Sequence, residues 1–369
     1  MKVQPEKYLK YLLPNLSELF GTQRTREILS VNPTVVPKRE EAQQVIITAC
    51  CYTKDAIEEH KNISLQQALD LRDCNKIVWI NVDGLRKADV EKLGEHYGIN
   101  PLLQEDILSI DQRAKMDEID SILFCLINTL YFNEQKKAVE HEQISMVLGK
   151  RFVITFQEDL SRDPFNALRE RLKLPASKTR TKDADYLYYT LLDTIVDNYF
   201  IVMEKLGKEI EGLEAEIIKN TSKRTLAYIN AIRKELIVLK RMIYPVREVI
   251  SGLLKSESEL LNESNERYYK DVLDHIVQAI DLVDNYKDVA MSMQDLYLNN
   301  VNLKLNEVMK VMAVVTCLLA PATIITGIFG MNFKAIPLLE NNNGFWIAIG
   351  FMILILVWML SIFRRKRWF

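Results

Sequence analysis

Two uncharged, apolar runs near the end of the chain constrain it more than any other feature. Residues 311–329 (VMAVVTCLLAPATIITGIF) and 345–363 (FWIAIGFMILILVWMLSIF) each hold 19 residues without a charge. At a helical rise of about 1.5 Å per residue each run spans about 28 Å, close to the hydrocarbon thickness of a bilayer. One buried core helix can be this apolar; two in tandem point to a membrane. The tail RRKRWF (364–369) follows the second run. Basic residues flanking a span mark the cytoplasmic side, so the sequence predicts a cytoplasmic C-terminal end at the plasma (inner) membrane. Two spans return the chain to its starting side. The body before them is therefore expected in the cytoplasm, with only 330–344 on the far side.

The charge follows the same division. The chain has 48 basic and 50 acidic side chains, of which only five basic and one acidic lie in 311–369. The body thus carries −6 and the apolar end +4. An acidic body excludes a nucleic-acid binder that reads phosphates by bulk charge. The five cysteines (50, 51, 74, 125 and 317) are odd in number and show no CxxC spacing, which fits a reduced compartment better than a disulfide framework. The N-terminal MKVQPEKYLKYLLPNLSELF lacks the unbroken apolar stretch of a cleaved signal peptide.

Within the body, β-rich runs at 45–52, 76–82, 122–132, 144–148 and 152–156 alternate with helical patterns at 65–72, 85–97, 101–110 and 163–174. This predicts a cytosolic α/β domain over 1–182. After 183 the spacing of Leu, Ile and Val becomes helical, and polar cap residues at 220–222 and 262–265 divide it. A long helical hairpin is expected over 183–263. A third helix over 264–329 would run as a rigid stalk into the first span, followed by the outer loop 330–344, a second transmembrane helix at 345–363 and the basic tail 364–369. The fold class is thus an α+β membrane protein.

Counting by sevens along the stalk gives Asp274, Asp281, Asp288, Asp295, Asn302, Met309, Thr316 and Thr323. Four residues further on lie Gln278, Asn285, Ser292, Asn299, Asn306, Ala313, Ala320 and Gly327. Such a repeat keeps one face turned to a common axis. Here that face is acidic and amide-rich before the span, then small or hydroxylated within it. Four aspartates alone are better explained by a solvated face, and small residues in a span can serve tight helix packing. Continuity across the boundary favours a water-filled channel whose inner mouth attracts cations. One helix cannot line a pore, so this reading requires a homo-oligomer.

The first span ends in Gly330-Met331-Asn332-Phe333, with Pro337 beyond it. With the two-span end and the basic tail, this motif resembles the CorA family of divalent-cation channels. The resemblance extends through NEVMKV (306–311), DVLDH (271–275), DQRAK (111–115) and PLLQEDIL (101–108). It implies a homopentamer in the lipid bilayer that takes up Mg²⁺ along the membrane potential, with Co²⁺ or Ni²⁺ also passing. By resemblance, Gly330, Met331 and Asn332 form a selectivity filter in which Asn332 and the Gly330 carbonyl hold the hydrated ion. The same resemblance makes Asp295, Asn306, Met309, Met312 and Thr323 pore-lining, with Met309 and Met312 as a hydrophobic constriction; the heptad face adds Asn302, Thr316, Ala320 and Gly327. It implies that Glu105, Asp106 and Asp271 bind regulatory Mg²⁺ between subunits and so close the pore. Read without it, Gly330 is a helix C-cap and Glu105 and Asp106 are acids near a helix N-terminus.

Three residues depart from the family pattern. Ala320 stands where a bulky Met is common, and Lys334 and Leu338 where acids are frequent, leaving Glu340 alone to concentrate cations at the outer mouth. No nucleotide-binding glycine motif, nucleophile elbow or HExxH is present, and His60, His96, His141 and His275 are scattered, so no enzyme is expected. The alternatives are a zinc transporter sharing the Gly-Met-Asn motif, or a membrane-anchored structural or interaction protein.

Overall fold

The computed structural model describes residues 41–110, 112–219, 222–331 and 343–366. Seven strands form one sheet: β1 (Ile46–Tyr52), β2 (Ile57–His60), β3 (Ile77–Asp83), β4 (Lys115–Ile119), β5 (Ile122–Asn133), β6 (Ala138–Leu148) and β7 (Phe152–Gln157). Their order is β2-β1-β3-β7-β6-β5-β4, with β3 and β7 parallel and every other pair antiparallel. Five strands coincide with the apolar runs of the sequence. The two without such a run, β2 (IEEH) and β4 (KMDEI), are the two edges of the sheet. Charged side chains on edge strands discourage pairing with another chain, and they also erase the apolar alternation by which a strand is recognised. β6 begins six residues earlier than its apolar run because AVEHEQ pairs fully with β5.

Short helices follow: α1 (Leu65–Asp70), α2 (Lys87–Tyr97), α3 (Pro101–Leu108), α4 (Asn166–Lys173) and α5 (Lys178–Thr181). Val90, Leu93 and Tyr97 of α2 and Leu103 and Ile107 of α3 pack on Ala49, Cys51, Ile80, Phe124 and Ile154 of the sheet. Asn100 caps α3, its side chain accepting from Leu102 N–H at 3.1 Å ahead of Pro101.

Three long helices complete the body: α6 (Ala184–Lys219), α7 (Lys223–Lys255) and α8 (Glu266–Phe329). Tyr199 on α6 donates to the carbonyl of Asn128 at 2.5 Å and Asn198 to Thr129 at 3.1 Å, which fixes α6 across the sheet. Ser222 caps α7, accepting from Thr225 N–H at 3.2 Å. Ahead of α8, Asp185 accepts from Asn262 N–H at 2.9 Å and from Asn265 Nδ2 at 2.8 Å, so the turn at 262–265 is fastened to the start of α6. α8 runs unbroken for 64 residues, through Pro321, and α9 (Gly344–Arg365) follows. Both helices are long and apolar enough to cross a membrane.

The described residues pack as two units. One holds those up to Glu216 together with Ser222–Ser292; the other holds 217–219 and those from Met293 onward. The division falls inside α8. Lys240 (3.2 Å) and Tyr244 of α7 both bond the Asp284 carboxylate within the first unit, and Asn300 donates to the Ile217 carbonyl at 3.1 Å within the second.

Candidate functional site

The polar stripe lies on one continuous helix, as the heptad count requires. Asp274, Asp281, Asp288, Asp295, Asn302 and Asn306 are all exposed on α8, and so are Met309, Met312, Thr316, Ala320, Thr323 and Gly327. Inside the apolar run the hydroxyls turn back on the helix. Thr316 Oγ1 donates to the Met312 carbonyl at 2.9 Å and Thr323 Oγ1 to the Leu319 carbonyl at 3.0 Å. Each hydroxyl has thereby spent its proton, and its lone pairs remain to accept from water. A row of acceptors suits a cation that keeps its hydration shell, because the shell presents hydrogens outward. Exposure does not by itself select this face: Leu303, Val308, Val311, Leu319 and Ile324 are as exposed as Met309.

At the end of α8, Gly330 N–H donates to the Thr326 carbonyl at 2.9 Å and Met331 N–H to that of Ile328 at 3.3 Å. The helical bonding therefore reaches the first two residues of the Gly-Met-Asn motif. Asn332, Lys334, Leu338 and Glu340 lie outside the described residues, as does Arg367 of the tail.

The acids expected at subunit interfaces lie on two elements, Glu105 and Asp106 on α3 and Asp271 on α8. Glu105 is exposed and Asp106 half-buried in the second turn of α3, whose first turn holds no acid, so the helix-terminus reading does not account for them. Asp106 Oδ2 pairs with Lys115 Nζ at 2.6 Å. Asp271 is exposed near the start of α8.

Beside Asp271 the structure assembles a group that sequence reading missed. Asp193 and Asp197, one turn apart on α6, meet His275 of α8, and one ligand atom from each lies within 4.8 Å of the others. His275 Nδ1 is buried, has no hydrogen-bond partner among the described residues, and stands 3.8 Å from Asp197 Oδ1. Tyr189, one turn before Asp193, donates to Asp193 Oδ2 at 3.4 Å. Burial raises the Asp193 carboxyl above its ordinary range; Asp197 and, more weakly, Asp271 push it the same way, while His275 and Tyr189 oppose them. Two carboxylates held this close repel until a proton or a cation neutralises them. An oxygen–oxygen–nitrogen set of this size could hold a divalent cation. Sequence reading set His275 aside with the other histidines. The available signal was the i,i+4 spacing of Asp193/Asp197 on α6 and of Asp271/His275 on α8.

A family model described as CorA-like Mg²⁺ transporter protein matches residues 75–365. The cobalt/magnesium transport protein CorA of Thermotoga maritima is 35% identical over 318 residues, covering 86% of this chain and 90% of that protein. The complete structure of the CorA magnesium transporter from Methanocaldococcus jannaschii has a TM-score of 0.72 at 23% identity, covering 89% of this chain and all of that one. The ZntB cytoplasmic domain from Vibrio parahaemolyticus shares the fold at a TM-score of 0.54 and 16% identity, covering 70% of this chain and 99% of that domain.

Proposed function

The chain belongs to the CorA-like Mg²⁺ transporter family, and from that premise we propose that it is a Mg²⁺ uptake channel driven by the membrane potential, also passing Co²⁺ or Ni²⁺. The observation that carries this reading is the polar face of α8, which continues without a break from exposed aspartates into an apolar span. Copies of that helix around an axis, five by the family resemblance, enclose a path whose inner mouth is ringed by Asp295 and whose wall is amide, hydroxyl and small. Mg²⁺ gives up water reluctantly, so such a wall conducts the hydrated ion through its waters. Neutral donors hold it weakly enough to let it leave. At the outer end, Gly330 and Asn332 form the entrance ring, and Met309 and Met312 form an apolar constriction that closes by shedding water. Ala320 leaves the upper span wider than a Met would.

Closure by cytosolic Mg²⁺ follows from the acids of the body. Glu105, Asp106 and Asp271 of neighbouring copies repel one another until a divalent cation bridges them. Asp193, Asp197 and His275, one helical turn from Asp271, supply further ligands at the same place. Losing the ion frees the copies to separate, and α8 carries that change into the span. Both termini are cytoplasmic in this arrangement.

The oligomeric mass in detergent tests the pore directly. A multimer is required, with a pentamer expected; a monomer under conditions that keep the protein folded and able to bind Mg²⁺ would rule it out.

A further inference from the structure

Cys50 and Cys51 are neighbours on β1, so their side chains take opposite faces of the sheet. Cys51 faces the cluster under α2 and α3, and Cys74 packs against the same cluster. Burial raises the Cys51 thiol, and Cys74 lies close enough to push it the same way. Chain proximity does not bring them together, since 22 residues lie between them. Strand pairing does. Cys74 N–H closes the turn over Leu71–Asp73 onto the Leu71 carbonyl at 3.3 Å, and three residues later β3 begins with Ile77 opposite Tyr52 and Val78 opposite Cys51. Cys51 is buried and Cys74 half-buried. The other buried thiols are placed differently: Cys125 lies on β5, and Cys50 sits across the sheet.

We propose that Cys51 and Cys74 are an oxidation-sensitive pair that closes to an intrachain disulfide on exposure to a peroxide. The half-buried Cys74 is the thiol a peroxide reaches. Its thiolate attacks one peroxide oxygen, the O–O bond breaks, and the departing oxygen takes a proton to leave as water. Cys74 is then a sulfenic acid. The Cys51 sulfur attacks the Cys74 sulfur, the S–O bond breaks, and the leaving hydroxide takes the Cys51 proton as a second water. Two thiols have lost two electrons and the peroxide has been reduced to two waters. Burial pushes the Cys51 thiol up to about 12, so Cys51 is not the thiol that meets the peroxide first. The closed ring ties β1 to the lead-in of β3 and restricts the unfolded chain.

The test uses the full-length protein in detergent, treated with a few equivalents of hydrogen peroxide, alkylated, digested and mapped by mass spectrometry. The expected result is one linked peptide pair joining Cys51 to Cys74, released by dithiothreitol and absent from Cys74→Ser. In Cys51→Ala, a dimedone adduct should collect on Cys74. Oxidised wild type should melt at a higher temperature than reduced, a shift Cys74→Ser should lose. Separate alkylation of both cysteines, oxidation of Cys74 to a sulfinic acid with Cys51 still alkylatable, or linkage of Cys51 to Cys50 would each overturn the proposal.

Discussion

The two halves of α8 are one helix in two environments. From Glu266 to Ser292, Tyr269, Val272, Ile276, Ala279, Val283 and Ala290 are buried at spacings of three, four and seven, which is one helical face against the body. From Met293 to Phe329, Met293, Tyr297 and Val314 are the only buried residues, while Leu303, Met312, Leu319 and Ile324 are each more than half exposed. In the first half the chain buries its own apolar surface. In the second that surface stays exposed, and under the proposed function it is left to lipid and to other copies, with the polar stripe facing water. On the proposed function, the same rod joins an acidic sensor to an ion path.

The largest effect expected from breaking this division is at the far end of the second half. Asn332→Ala should abolish Mg²⁺ flux in proteoliposomes while the oligomer stays intact by size-exclusion light scattering; retained flux would remove Asn332 from the filter. The first half is tested next. Asp271→Lys, and separately Asp193→Asn, should leave flux present but weaken its inhibition by internal Mg²⁺ by about tenfold or more, the scale on which metal-site side chains act. Unchanged inhibition in both variants would detach the sensor from this half of the helix.

Packing separates the halves more finely. Ile276→Ala removes a fully buried side chain and should cost about 2–5 kcal/mol in urea unfolding of the body. Leu303→Ala, at an exposed position, should cost less than about 0.5 kcal/mol. Similar costs at both would erase the distinction. The smallest effect concerns Glu142 of β6, whose carboxylate accepts from Glu158 N–H at 2.9 Å, Asp159 N–H at 2.8 Å and Tyr131 at 3.3 Å. Burial raises this group to about 7. The folded state therefore holds a proton that the unfolded chain releases near pH 4.5, so stability falls as pH rises from about 4.5 to 7 and is level above. Glu142→Gln keeps an acceptor for both amides and should flatten that part of the melting-temperature profile; an unchanged slope would assign it elsewhere.

What could be read from the sequence follows from what each residue packs against. The spans, the three long helices and five strands were legible because their apolar residues repeat at the period of the structure they form. β2 and β4 were not, because edge strands carry charge where central ones carry Val and Ile. On α8, Asp295, Asn302, Thr316 and Thr323 stood out because a heptad count needs only one chain. Asp193, Asp197 and His275 did not, since their grouping depends on how α6 lies beside α8, and no periodicity records a contact between helices 80 residues apart in sequence.

The central claim is that α8 lines a path for Mg²⁺. Purified protein in proteoliposomes with an inside-negative potential should take up Mg²⁺, and Co²⁺ or Ni²⁺ as well, without needing a proton gradient. Zn²⁺ uptake that requires a proton gradient, with no Mg²⁺ flux under the same potential, would contradict it.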